Sequence, residues 1–243
     1  MNWLLTSILY ALFAVHGPLP AALQMSIGWP GPGPIHVSSS GTAPTFVAAG
    51  SCETGGTACN VSGLSWTTGD SVAFFLVGSS GTLSVSGLSN TCTTANAAYT
   101  YSNSQVMSCF IADVTATSTP QCKDTADTYE LSCVGIELHW ASTPAIDQTA
   151  SASWASGTSV TGAAVTTTKK SAAVLGFCGS SSTGVTSWTH GTGWTIPTSG
   201  SMTGSNYSEA LEYDLVSTTG TYTPTFTLGA SAALACITFD AGY

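Results

Sequence analysis

Beyond Thr45 the chain has no stretch in which apolar residues recur at helical spacing. Short apolar runs alternate instead with clusters of Gly, Ser, Asn and Thr, the pattern of strands and turns. "SVAFFLV" at 71–77 is a continuous buried run. "VGIELHW" at 134–140 alternates and puts Val134, Ile136, Leu138 and Trp140 on one face, while "EALEYDLV" at 209–216 groups Leu211, Tyr213 and Leu215. "TYTPTFTL" at 221–228 alternates Thr with Tyr222, Pro224, Phe226 and Leu228. Pro224 has no N–H for a central ladder, which places this strand near an edge. The expected fold class is all-β.

Laid against itself at an offset of 100 residues, the chain echoes its own order. "TTGDSVAFFLVGSSGT" at 67–82 falls on "TTKKSAAVLGFCGSSS" at 167–182, with Thr67 on Thr167, Ser71 on Ser171 and Ala73 on Ala173. "FIADVTATST" at 110–119 then resembles "LEYDLVSTTG" at 211–220, and "ELSCVGIEL" at 130–138 resembles "ALACITFDA" at 233–241. Each half, 66–140 and 166–243, reads as four strands, too few to close a sandwich alone. Two halves together predict one jelly-roll-like double-sheet β-sandwich over 45–243 with an internal two-fold pseudo-repeat. Two tandem immunoglobulin-like domains are the alternative.

Eight cysteines stand at 52, 59, 92, 109, 122, 133, 178 and 236, none in a C-x-x-C pair. An even count at hairpin-like spacing favours disulfides over a metal site. The short gaps suggest Cys52 with Cys59, Cys92 with Cys109 and Cys122 with Cys133, which leaves Cys178 for Cys236. Such a chain folds in an oxidising place, outside the cytoplasm. A Cys178–Cys236 bond would pin the run at 173–178 beside the last strand.

Charge excludes several partners. Only 6% of residues are ionic, against about 25% in an average soluble protein, so hydroxyls make the polar surface. The only cations are Lys123, Lys169 and Lys170, and the net charge is -9. Phosphate backbones and anionic lipid surfaces need clustered Lys or Arg, so neither nucleic acid nor an anionic membrane surface is an expected partner. Low charge also weakens self-repulsion and permits copies to pack closely.

The N-terminal segment divides in two. The apolar run from Trp3 to Val15, within a leader at 1–22, fits a signal-peptide core and is shorter than the ~20 residues of a membrane span. No stable span is expected, and the leader is either cleaved or retained as an apolar arm. Residues 23–44 follow as an extended Gly/Pro arm: "GWPGPGPIHV" cannot be helical and favours polyproline-like geometry. Leu23, Met25, Ile27 and Trp29 alternate as one face of a strand requires, with Ile35 and Val37 beyond. Exposed, these side chains would be a poor thing to leave in water, which points to a donated strand that completes a sheet in a neighbouring copy.

Catalytic signatures are missing: no nucleophile elbow, H-E-x-x-H, phosphate loop or dinucleotide fingerprint occurs, and an enzyme is not expected. The best acidic constellation is Glu137, Glu209, Glu212 and Asp214, with His139 nearby. Set across a cleft, such carboxylates would suit glycoside hydrolysis; the plainer reading is a solvated strand face. Asp124, Asp127 and Glu130 cluster in "CKDTADTYELSC" but match no calcium loop. No cofactor is expected. Trp154, Trp188 and Trp194 lie near loops, either as platforms for sugar rings or as lids on the core. Asn60 and Asn206 begin glycosylation sequons, and Thr221, Thr223, Thr225 and Thr227 form a hydroxyl row suited to O-linked sugars.

The order "GTGWT" at 191–195, "EALEYDLV" at 209–216, "GTYTPTFT" at 220–227 and a final "ALACITF" resembles uncharacterised secreted bacterial β-sandwich proteins of jelly-roll or immunoglobulin-like type from surface and fibre contexts. That resemblance lies mainly in the second half, contains no site and implies only the fold class. The function expected from the residues is a secreted structural subunit of an extracellular filament, self-assembling through its N-terminal arm. A carbohydrate-binding or adhesive module at the cell surface, with glycans as partner, is the alternative.

Overall fold

The computed structural model describes residues 41–243, except 80, 103, 126–130, 155–156, 181–183 and 204–206. Among the described residues every regular element is a strand, and no helix is long and apolar enough to cross a membrane. The first half contains β1 (Thr45–Thr54), β2 (Ala58–Asn60), β3 (Ser71–Gly78), β4 (Leu83–Ser86), β5 (Thr93–Tyr101), β6 (Ser104–Ile111), β7 (Gln121–Asp124) and β8 (Leu131–His139). The second contains β9 (Ala145–Trp154), β10 (Ser159–Thr161), β11 (Val165–Thr167), β12 (Ala172–Ser180), β13 (Trp188–His190) and β14 (Ser201–Thr203). It continues with β15 (Ser208–Val216), β16 (Gly220–Tyr222), β17 (Thr225–Leu228) and β18 (Leu234–Gly242).

All ladders between these strands are antiparallel, and each half makes one five-stranded and one three-stranded sheet. The first half has the orders β1-β8-β3-β6-β5 and β2-β7-β4; the second has β9-β18-β12-β15-β14 and β10-β17-β13. The order of steps is the same in both, with β11 and β16 added to the second as a separate pair. The expectation of four strands per half is therefore corrected. The missed strands are short and carry few apolar residues, such as Cys59 in β2 or Val160 in β10, too little for an apolar run to register.

Four layers result. Odd-numbered residues of β3, Ala73, Phe75 and Val77, meet Ala173, Leu175 and Phe177 of β12 and Ile237 and Phe239 of β18 in a core between the two five-stranded sheets. Even-numbered Val72, Phe74 and Leu76 face the other way, into a second core under β2, β4 and β7. A third lies between the second five-stranded sheet and β10, β13 and β17, centred on Phe226 and Leu228. The continuous apolar run at 71–77 thus reflects a strand covered on both faces. Phe75 stacks on Phe177 and Phe239 with ring centroids 5.3 and 5.5 Å apart, and burying each such ring contributes about 1.5–3 kcal/mol.

The disulfides are Cys52–Cys59, Cys92–Cys109, Cys122–Cys133 and Cys178–Cys236; Cys52–Cys59 and Cys122–Cys133 tie the first five-stranded sheet to its three-stranded neighbour. All four are the expected pairs, and they fit folding in an oxidising environment. Cys178 lies opposite Cys236 in the β12–β18 ladder, so this bond does pin the run at 173–178 beside the last strand.

Candidate functional site

The seam between the five-stranded sheets carries polar groups among its apolar ones. Asn96 on β5 donates its amide to the carbonyls of Ala150 at 3.1 Å and Thr238 at 3.2 Å, stitching one sheet to the other. Ser104 and Ser180 join at 3.3 Å, and the Ser132 hydroxyl donates to Glu209 Oε2 at 2.7 Å. Phe46 on β1 stacks on Tyr213 on β15, centroids 5.5 Å apart. Buried polar groups paired in this way fix the register of the sheets, because slippage would leave them unsatisfied.

The acidic constellation is not the solvated face it resembled. Glu137, Glu209 and Glu212 are all fully buried. Glu137 accepts the backbone N–H groups of Ser65, Trp66 and Thr67 at 2.6, 3.0 and 2.7 Å, clamping the loop before β3 onto β8. Glu212 accepts the N–H groups of Gly191 and Thr225 at 3.0 and 2.6 Å and clamps the outer layer of the second half. Burial pushes the Glu209 carboxyl up to about 8, with Glu53 adding repulsion, and pushes Glu212 up to about 7. Burial also raises Asp214.

These acids do not converge on one cleft. Glu137 and Glu212 face away from the seam toward opposite outer layers, so both five-stranded sheets stand between them. The two carboxylates cannot flank one glycosidic bond. His139 Nδ1 lies instead 2.6 Å from the buried Asp70 carboxylate.

A second carboxyl pair was not anticipated. Antiparallel pairing skips Val47 in β1 beside Glu137 and Asp147 in β9 beside Asp240. Each bulge therefore has a buried acid at its shoulder. Asp240 accepts the Gln148 N–H at 3.0 Å, and burial, with Asp147 close by, pushes it up to about 6. Burial acts to raise Asp147 as well, but hydrogen bonds from the Thr168 backbone and hydroxyl outweigh it and hold that group below the usual carboxylate value. The match of Thr67 to Thr167 marked these positions in the sequence: Thr67 donates its backbone N–H to Glu137, and the Thr167 side chain bonds to Asp240.

The remaining candidates fall into place singly. Trp194 is buried beside Val174 and Val216. Trp188 packs edge-on to Phe226 at 5.6 Å and donates Nε1 to the Met202 carbonyl at 3.2 Å. Trp154 packs against the same core. All three pack on apolar cores, Trp154 and Trp188 with part of their surface exposed. In the threonine row, Thr221 and Thr227 are exposed while Pro224, Phe226 and Leu228 point inward, and the Thr166 and Thr221 hydroxyls lie 2.9 Å apart. Asn60 is exposed and its side-chain oxygen accepts from Gln121 at 3.3 Å. Asp124 is buried, and among the described residues no group of three or more His, Cys, Asp or Glu is placed to hold a metal. Asp127, Glu130 and Asn206, the leader at 1–22 and the arm residues Leu23, Met25, Ile27, Trp29, Ile35 and Val37 lie outside the described residues.

What can be placed is the root of the arm. The Ser171 hydroxyl donates to the Thr42 carbonyl, which the Tyr243 hydroxyl also meets at 3.5 Å. The Tyr243 N–H in turn donates to the Ser171 carbonyl at 3.1 Å. A Cβ on Gly41 would come within 2.9 Å of the Ser171 nitrogen, so the small residue permits this close approach. Trp140, which ends the first half, meets Tyr243 edge-on at 6.3 Å and donates its Nε1 to Ser71 at 2.6 Å. Ser71 and Ser171, matched in the sequence, thus both sit at this end of the seam. Comparison with protein-family models, with curated proteins and with solved structures returns no match to this chain.

Proposed function

We propose that this protein is a secreted structural subunit that polymerises into an extracellular filament through its N-terminal arm, residues 23–37 docking on the next copy. The observation that carries the reading is the clamp of Ser171 and Tyr243 on the Thr42 carbonyl. An arm whose root is held to the body at residue 42 starts from an anchored point, which lowers the entropy lost when it docks. Low charge favours close packing of copies, and four disulfides suit a long life outside a cell. A head-to-tail contact of this type is heterologous and need not close, so it propagates a fibre.

Sedimentation of the full chain against Leu23→Asp/Ile27→Asp tests the proposal. Large assemblies from the parent chain, reduced to single subunits by the substitutions with the fold unchanged, are expected. Equal assembly by both would remove the arm from the mechanism.

A further inference from the structure

Two disulfides lie side by side. Cys52 on β1 is the register partner of Cys133 on β8, and Cys59 on β2 is the register partner of Cys122 on β7. The existing bonds, Cys52–Cys59 and Cys122–Cys133, both cross from the five-stranded to the three-stranded sheet. Four sulfurs therefore form a quadrilateral in which only two opposite sides are bonded. The other two sides are cross-strand pairs, whose Cα atoms stand about 4.5–5.5 Å apart in an antiparallel ladder, inside the range a disulfide can bridge. The second half contains such a bond: Cys178–Cys236 joins register partners with a Cα separation of 4.1 Å.

We propose that this quadrilateral is a thiol-addressable exchange site, at which a small-molecule thiol converts the two bonds to Cys52–Cys133 and Cys59–Cys122. Cys52 is partly exposed, whereas Cys59, Cys122 and Cys133 are buried, so attack starts at Cys52. The incoming thiolate bonds to Cys52 Sγ and expels Cys59 as thiolate. Cys59 attacks Cys122 Sγ, forming Cys59–Cys122 and releasing the Cys133 thiolate. Cys133 then attacks Cys52 Sγ of the mixed disulfide, forming Cys52–Cys133 and returning the small thiolate. Two disulfides are present before and after, and no oxidant or reductant is consumed.

The exchange moves both staples from between layers to within them. The β2-β7-β4 sheet would then lose both of the disulfides that join it to the β1-β8-β3-β6-β5 sheet. The other two disulfides have no cysteine neighbour in register: Cys109 faces Phe74 and Thr94, while Cys178 and Cys236 already face one another. They act as internal controls.

The test is to hold the oxidised protein with substoichiometric cysteamine at mildly alkaline pH, quench with acid, digest with pepsin and map the linked peptides by mass. New Cys52–Cys133 and Cys59–Cys122 peptides are expected, with Cys92–Cys109 and Cys178–Cys236 unchanged and total free thiol constant. Hydrogen exchange in β2, β4 and β7 should quicken. In Cys52→Ser/Cys59→Ser the Cys122–Cys133 bond should survive the same treatment. Recovery of only the original four pairs, general scrambling that includes Cys92 or Cys178, or loss of Cys122–Cys133 in the double variant would overturn the proposal.

Discussion

Ser132 on β8 and Glu209 on β15 come from opposite halves and meet at 2.7 Å across the seam. Glu209 is fully buried there and its carboxyl is pushed up to about 8, so near neutral pH it holds its proton. Together with Glu212 at about 7 and Asp240 at about 6, it ties stability to acid. Each folded-state value lies above the ordinary carboxylate value, so the stability these groups contribute is complete below about pH 4 and is lost as pH rises through 6, 7 and 8. Asp147, held below its usual value, acts oppositely and loses its contribution as pH falls through its folded value.

The thermal midpoint is therefore expected to be highest near pH 4–5 and to decline toward pH 9, a trend measurable by calorimetry. Glu209→Gln, which mimics the protonated acid, should flatten the decline above pH 7. A midpoint that rises between pH 5 and 9 would contradict the assignment.

Glu137→Ala tests the loop clamp. The substitution strands three N–H donors, those of Ser65, Trp66 and Thr67, and should cost about 3 kcal/mol or more by chemical denaturation. Glu137→Gln keeps the size but weakens the acceptor and should cost less. Equal stability for all three chains would show that the clamp contributes nothing.

At Gly176 the seam's neighbour layer approaches closely. A Cβ there would stand 2.4 Å from Pro224 Cβ, and Pro224 is itself buried. Gly176→Ala should destabilise by about 1–3 kcal/mol through overpacking. Gly193→Ala provides a contrast: no atom would meet the new Cβ within 4 Å, but the positive φ there makes the cost one of backbone strain.

Phe239 touches both halves, packing on Phe75 at 5.5 Å and Phe110 at 6.0 Å. Phe239→Ala should cost about 3–5 kcal/mol. Because the two halves share this core, the loss should lower one common unfolding transition. Two resolved transitions, only one of them shifted, would show that the halves fold independently.

The strands with long apolar patterns were legible in the sequence. Three disulfide pairs followed the short gaps between their cysteines, and Cys178–Cys236, 58 residues apart, was the pair left over. Burial of the acids was not legible. Glu137 and Glu212 sit in alternating strands where a polar residue normally faces water, but here a second layer covers that face. Several of the short outer strands that make this layer, such as β2 with Cys59 and β10 with Val160, lack any apolar run. The role of Ser171 at Thr42 depends on a contact across 129 residues of chain, which no local pattern encodes, although its match to Ser71 marked the position.

Electron microscopy of protein secreted by its native source, beside a chain starting at residue 41, tests the central claim most directly. The account predicts ordered fibres with a globular repeat from the native material and discrete particles from the shortened chain. Discrete particles from both, or fibres from both, would contradict assembly through the arm.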